Sequence, residues 1–308
     1  MDSILISPVD GSACARLTQE HCEFLGKDKY PVINGIPVLI DEQQSLFTIA
    51  DIISQKPQTQ NKAYSNKGNL KNFIRTSILP KLNIDWDLEK RYKNLAKKVK
   101  NKRVLIIGAG DKVSFYKKIF EGNDVITSDV HLQFLPDLVF DVHNIPFKGG
   151  AFDLIIAAQV FEHTIRPWEA ARELERVTVN GGIIQIEVPF AFPYHGAPYD
   201  FFRFTFTGMR SLFPSCFVEN FKATEGVFSA VAVVNAQAFV DFFSIKVFRY
   251  IALSISRFLF FWLKYFDLIQ SGKRSKDFSM PKGYWITFKK DGIRRSDKDC
   301  LKDFSLLK

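Results

Sequence analysis

Two glycines and a later carboxylate carry the clearest chemical signal in the sequence. Val104 to Ile107 form an apolar, largely β-branched run with no polar alternation, as in a strand buried on both faces of a parallel sheet. Gly108 and Gly110 follow at once, where the absence of a side chain lets backbone approach a ligand and a following helix N-terminus offers unpaired N–H groups. Asp129 closes a second apolar run about 20 residues on, the spacing at which a carboxylate can take both hydroxyls of a ribose. A second cluster lies in the loop Pro189 to Thr205, where His195, Asp200 and Arg203 are set into an aromatic wall. Aromatic faces stack on sugar rings, a histidine accepts a hydroxyl proton near neutral pH, and an Asp/Arg pair fixes orientation or pins the loop on itself.

These residues need a scaffold that brings them to one edge. Strands are expected at Leu138 to Val142, Leu154 to Ala158, Ile183 to Val188, Phe217 to Ala223 and Gly283 to Lys289. They alternate with helices, the clearest at Trp168 to Val177, and a helix from Asp85 delivers the chain into the glycine loop. A short helix at Thr207 to Phe213 should be capped by Thr207. The βαβα pattern predicts an α/β fold with a mostly parallel sheet. Asp129, Asp141, Gln159 and Pro189 all end strands and so converge on the ligand-binding edge. His163 reads as a cap of the helix region that follows it.

The N-terminal residues 1–45 read as a small β module, with Tyr30 to Ile40 forming two strands around the Asn34-Gly35 turn. Residues 46–84 read as a polar linker containing a short helix near Leu70 to Leu79. Residues 85–290 form the main domain, with a helical insertion at about 228–275 before the last strand, and 291–308 are a charged, mobile tail. The net charge of +9 is uneven, with 13 Lys/Arg against 3 Asp/Glu over 61–103 and 4 against 8 over 1–60. Such a basic patch suits phosphate, nucleic acid or an anionic membrane, although a solvated face is the commoner outcome. The four cysteines never stand in a Cys-x-x-Cys spacing and the first residues lack a signal-peptide pattern, so a reducing cytosol is expected.

The segments Asp141-Val-His-Asn-Ile-Pro-Phe-Lys-Gly-Gly-Ala-Phe-Asp153, Ala158-Gln-Val-Phe-Glu-His163 and Arg172-Glu-Leu-Glu-Arg-Val with Gly181-Gly182 resemble class I S-adenosylmethionine-dependent methyltransferases of the type 11 group. The resemblance implies a Rossmann-like, seven-stranded, mostly parallel sheet whose last strand is antiparallel. It also implies that Gly108 and Gly110 face the methionine part of the cofactor S-adenosylmethionine, Asp129 the ribose, Asp141 and Val142 the adenine, and Gln159 the reacting sulfonium. One departure is Lys112, which stands where the family usually has a third small residue. The loop around His195, Asp200 and Arg203 resembles that of type 11 enzymes of cell-surface polysaccharide biosynthesis. The N-terminal Tyr-Pro…Gly-Ile-Pro-Val-Leu run resembles the zinc-ribbon-like domain of tRNA-methyltransferase activators. Only Cys14 and Cys22 remain of its two cysteine pairs, and a tetrahedral zinc site wants four ligands, so no metal is expected.

The resulting expectation is methyl transfer to an oxygen of a saccharide or glycolipid precursor, with His195 as base and Asp200 and Arg203 beside it. The alternatives are an RNA methyltransferase, suggested by the basic stretch but lacking any RNA-binding module signature, and a catalytically silent scaffold, suggested by Lys112. From Asp241 to Asp267 an aromatic-rich segment carries Lys246, Arg249, Arg257 and Lys264 within roughly 80° of one another on a helical wheel. That pattern predicts a helix lying on the headgroups of an anionic membrane at its inner face, with a helix packed on the core as the alternative.

Overall fold

The computed structural model describes residues 1–54, 79–270 and 278–307. The helix expected near Leu70 to Leu79 falls almost entirely outside the described residues. The chain begins with an antiparallel meander of β1 (Cys14–Leu17), β2 (His21–Phe24), β3 (Lys29–Ile33) and β4 (Ile36–Leu39). Asn34 and Gly35 both have positive φ, 53° and 81°, which is the backbone that the right-handed twist of a two-residue hairpin demands. β2 alternates half-buried and buried positions, whereas β4 is buried throughout. The cause is a parallel pairing of β4 with β7 (Val139–Phe140), far along the chain, in the register Val38 with Val139 and Leu39 with Phe140. Leu5, Phe24 and Leu39 accordingly share one apolar cluster with Leu105, Phe140 and Phe147.

After helix α1 (Ile49–Ile53), α2 (Leu88–Lys98) leads into β5 (Arg103–Ile107). α2 starts three residues later than expected, because the Asp85 carboxylate turns inward to Arg91 (2.6 Å). β5 is followed by α3 (Val113–Ile119) and β6 (Asp124–Ser128), and then by β8 (Phe152–Ala158), α4 (Pro167–Val177) and β9 (Thr178–Pro189). β6, β5, β8 and β9 are parallel neighbours in that order. Tyr92, Leu95, Tyr116 and Phe120 cover one face of the sheet against Val104, Ile106 and Leu154. Ala170, Ala171, Leu174 and Val177 of α4 pack into the cluster on the other face with Leu105 and Ile155. The run Val104 to Ile107 is therefore apolar on both faces, as the sequence implied, whereas β9 also buries the polar Gln185 and Glu187.

β10 (Cys216–Glu225) and β11 (Gly283–Lys290) complete a six-stranded sheet in the order β10-β11-β9-β8-β5-β6. β11 runs antiparallel between β9 and β10, as the resemblance implied. The sheet has six strands and not the seven expected: of the strand expected at Leu138 to Val142 only the two-residue β7 forms, and it pairs with β4 and meets β6 only through a bridge between Ser128 and Leu138. Helix α5 (Phe206–Ser211) is capped by Thr205, not Thr207, with its hydroxyl accepting from Gly208 N–H at 3.0 Å.

The insertion between β10 and β11 holds α6 (Val227–Asp241), α7 (Lys246–Phe260) and α8 (Lys264–Gln270). The carboxylate of Asp267 accepts the Phe228 and Ser229 N–H groups, both at 3.0 Å, and so ties α8 to the start of α6. The cationic stripe does not face solvent as a unit. Lys246 and Arg249 are exposed, Arg257 is half-buried, and Lys264 is buried with its ammonium donating to the Lys81 carbonyl (2.7 Å). The C-terminal residues are not a loose tail: α9 (Asp297–Lys302), capped by Ser296, buries Cys300, and Asp303 accepts from the buried Arg210 (2.5 Å).

Candidate functional site

The carboxyl ends of β5, β6, β8 and β9 open into a cleft of about 620 Å³, in the size range of a small-molecule site. All six residues assigned to the cofactor line it: Gly108, Gly110, Asp129, Asp141, Val142 and Gln159. Lys112 is also in the wall, closing a single 3-10 turn from Gly110.

Gly108 has φ +66°, and a Cβ there would lie 2.6 Å from the Cγ2 of Val160, so both backbone and space require glycine. At Gly110 (φ +52°) an added Cβ would meet nothing within 4 Å, because the position faces the open cleft. Asp129, buried at the end of β6, accepts Gly110 N–H at 2.9 Å and His131 N–H at 3.0 Å. It thus ties the glycine loop to the next strand, and each oxygen keeps a lone pair for a further donor. Burial pushes its carboxyl up to about 6, against which the backbone N–H groups pull.

Asp141 is held by three donors: the Ser45 hydroxyl (2.5 Å), the His143 N–H (3.0 Å) and, on the ring side, His143 Nδ1 (2.6 Å). Burial alone would raise this carboxyl, but the hydrogen bonds and charge of His143 keep it below the usual range. Ser45, the last residue read as the N-terminal module, holds Asp141, and Phe47, just inside the segment read as linker, lines the cleft. Gln159 sits in the left-handed region (φ +58°) with its N–H on the Glu187 carbonyl (2.8 Å), a conformation that costs a non-glycine residue of order 1–2 kcal/mol. Beneath it Glu187 is paired with buried Arg91 (2.7 and 3.1 Å), which also holds Asp85.

The three residues of the second cluster do not face the cleft alike. Arg203 grips both oxygens of Asp200 (2.6 and 2.8 Å) and also donates to the Phe192 and Pro193 carbonyls, while Asp200 accepts the His195 N–H at 2.7 Å. The Asp200 side chain is 1% exposed. Both residues therefore pin the loop and present His195, which alone of the three lines the cleft. The His195 Nδ1 lies 3.3 Å from both the Pro193 carbonyl and Asp200, leaving Nε2 for other work. Burial lowers its affinity for protons, offset in part by Asp200, so it is neutral at neutral pH.

His163 does not cap a helix. It lies in a 3-10 turn (Phe161–His163), hydrogen-bonds the Tyr199 carbonyl through Nδ1, and lines the cleft with its ring edge-on to His195, centroids 5.0 Å apart. Glu162 beside it is fully buried, and burial pushes its carboxyl up to about 8. Neither Glu162 nor His163 was singled out for chemistry by sequence. The signal available was the adjacency of a carboxylate and an imidazole at the end of a buried strand.

Residues 87–186, which span the cofactor-lining strand ends but not the His195 loop, match the family described as "Methyltransferase domain", the Methyltransf_11 group. Over that third of its length the chain is similar to a methyltransferase domain. Its cofactor is S-adenosylmethionine, and the glycine cradle open at Gly110 and the buried Asp129 fit that molecule. No curated protein matches the chain in sequence. Among solved structures the chain is similar to a phosphoethanolamine N-methyltransferase 2 from Haemonchus contortus, in complex with phosphomonomethylethanolamine and S-adenosylhomocysteine. That likeness has 12% identity and a TM-score of 0.47, covering 80% of this chain and 60% of that one. It is also similar to a coclaurine N-methyltransferase bound to N-methylheliamine and S-adenosylhomocysteine, at 12% identity and a TM-score of 0.43, covering 81% and 90%.

Proposed function

We propose that the methyltransferase domain methylates an oxygen of a saccharide or glycolipid precursor. The observation that carries this reading is the pinned loop: Arg203 and Asp200 rigidly present His195 to the cleft, flanked by Phe192 (edge-on, 5.0 Å) and Tyr199. S-adenosylmethionine supplies an electrophilic methyl group on a sulfonium. The protein has then to align the acceptor and remove its proton, and a neutral His195 beside aromatic faces suits a sugar hydroxyl. Gln159, held in its strained backbone by Glu187, marks the edge between donor and acceptor. His195→Ala should lower turnover about 10²- to 10⁴-fold while leaving S-adenosylhomocysteine affinity unchanged. The assay is transfer of labelled methyl groups to fractionated glycan precursors, lipids and RNA. Label entering RNA and no glycan or lipid fraction would overturn the acceptor class.

We further propose that the acceptor is met at an anionic membrane surface, with α6 to α8 as the contact. Among the described residues no helix is long and apolar enough to cross a membrane. What supports surface docking is a row of exposed apolar side chains, Phe242 (81% exposed), Ile245, Phe248, Phe258 and Trp262, flanked by the exposed Lys246 and Arg249. Lys264 contributes nothing, being buried against the body. Co-sedimentation with phosphatidylserine-containing vesicles should fall for Phe242→Ser with Phe258→Ser, and with rising salt for the native chain. A chain that never co-sediments at low salt refutes the contact.

A further inference from the structure

Glu162 is fully buried, and neither of its carboxylate oxygens has a hydrogen-bond partner among the described residues. A carboxylate so placed is costly to leave alone. Its Oε1 lies 3.9 Å from Nε2 of His163, whose Nδ1 is occupied by the Tyr199 carbonyl. A backbone acceptor on one ring nitrogen fixes the tautomer so that the other carries its lone pair outward, as in histidines that bind metals. The third member is His195: one ligand atom from each of Glu162, His163 and His195 lies within 4.8 Å of the other two.

We propose that Glu162, His163 and His195 bind a divalent transition-metal ion at the acceptor end of the cleft. Two imidazoles and one carboxylate form a borderline nitrogen/oxygen set that suits zinc or iron(II) and not magnesium or calcium. Ligand atoms at about 2.1 Å from one ion stand about 3.0–3.4 Å apart, so side-chain movements of roughly 1 Å close the set. Two cations lie nearby and both are paired: the guanidinium of Arg203, with Nη2 3.2 Å from His195 Nδ1, is neutralised by Asp200 through two hydrogen bonds, and Lys282 in the cleft wall is neutralised by Glu225 (3.0 and 3.1 Å). Three protein ligands leave a coordination position open, and His163 and His195 both line the cleft from which an oxygen could fill it. The site rests on these three side chains and stands whether or not the acceptor is a sugar. With an ion bound, His195 would be a ligand and not the base; the ion would acidify the acceptor hydroxyl, whose proton would then pass to water at the open cleft.

The test uses the full chain, stripped with chelator and free of S-adenosylmethionine, titrated with Co²⁺ by visible absorption and with Zn²⁺ by calorimetry. One ion per chain is expected, with the d–d bands of nitrogen and oxygen ligation and no thiolate charge-transfer band. Glu162→Gln and His195→Ala should each weaken binding by at least the about 10- to 100-fold that loss of an outer partner costs, with unchanged circular dichroism. His195 lies on a surface loop, so its variant keeps the test valid if Glu162→Gln folds poorly. Cys14→Ser should change nothing, although Cys14 and Cys22 have their sulfurs 3.9 Å apart. Absence of saturable binding, binding that survives both Glu162→Gln and His195→Ala, or binding lost in Cys14→Ser overturns the site. Methyl transfer by the stripped chain would leave the proposed function standing, so the two readings fail separately.

Discussion

Asp129 makes cofactor affinity depend on pH in a way that can be worked out beforehand. Its carboxyl sits at about 6 because burial penalises the charge, and its accepting lone pairs are fully available only when it is ionised. Ribose hydroxyls donate to it, so the ligand binds the ionised form preferentially. With a value of about 6, roughly one-tenth of the chains are ionised at pH 5 and roughly nine-tenths at pH 7. Because apparent Kd scales inversely with the competent fraction, affinity for S-adenosylhomocysteine should rise about tenfold between those pH values, or ~1.4 kcal/mol. Stability moves the other way. A carboxyl raised in the folded state stabilises the fold below its unfolded value of 3.8, and that contribution is lost as pH rises through about 6. The lost contribution amounts to ~3 kcal/mol for the unliganded chain. Asp129→Asn should therefore flatten the binding profile between pH 5 and 7, weaken binding at pH 7, and raise the melting temperature of the unliganded chain at pH 7 relative to the native one. Isothermal titration and thermal melts at four pH values decide it. A tenfold slope that persists in Asp129→Asn would show that another group carries the titration.

Three further outcomes follow from the packing. Arg203→Ala leaves the almost fully buried Asp200 without its partner and should cost about 3 kcal/mol in urea unfolding, while S-adenosylhomocysteine affinity stays near native. Arg91→Ala strips two carboxylates, Glu187 and Asp85, and should destabilise by about 3–5 kcal/mol; a loss below about 1 kcal/mol would mean that the network is solvated. Gly108→Ala combines a strained φ with a 2.6 Å approach to Val160 and should abolish cofactor binding, whereas Gly110→Ala should keep the fold and lose affinity only in part.

The apolar run Val104 to Ile107 and the small-residue loop were legible because a buried parallel strand and a left-handed glycine each leave an unambiguous local mark. Gln159 was legible as a strand end, but its left-handed backbone was not, since nothing in glutamine signals φ +58°. The reading that Asp200 and Arg203 pin the loop was open from their spacing and is what the distances favour. What could not be read is non-local. The parallel pairing of Val38 with Val139 links residues a hundred apart, and it took the strand expected at Leu138 to Val142 out of the main sheet and brought Ser45 and Phe47 beside the cleft. The helical wheel placed Lys246 to Lys264 on one arc, yet only packing decides which side of an arc meets the protein. The wheel also assumes one continuous helix, whereas α7 ends at Phe260 and Lys264 opens the separate α8, where its ammonium is held by the Lys81 carbonyl.

The pairing of β4 with β7 has a practical consequence for anyone dividing the chain. The segment that matches the methyltransferase family begins at residue 87, and an expression boundary placed there would look natural. It would remove the Ser45 hydroxyl from Asp141, the Phe47 ring from Tyr199 (centroids 5.5 Å) and the neighbour strand of Val139 and Phe140. The shortened protein would expose the backbone edge of β7 and an apolar face that Leu5, Phe24 and Leu39 now cover. Such a fragment would aggregate before it could be assayed, and its silence would say nothing about the chemistry of the intact chain.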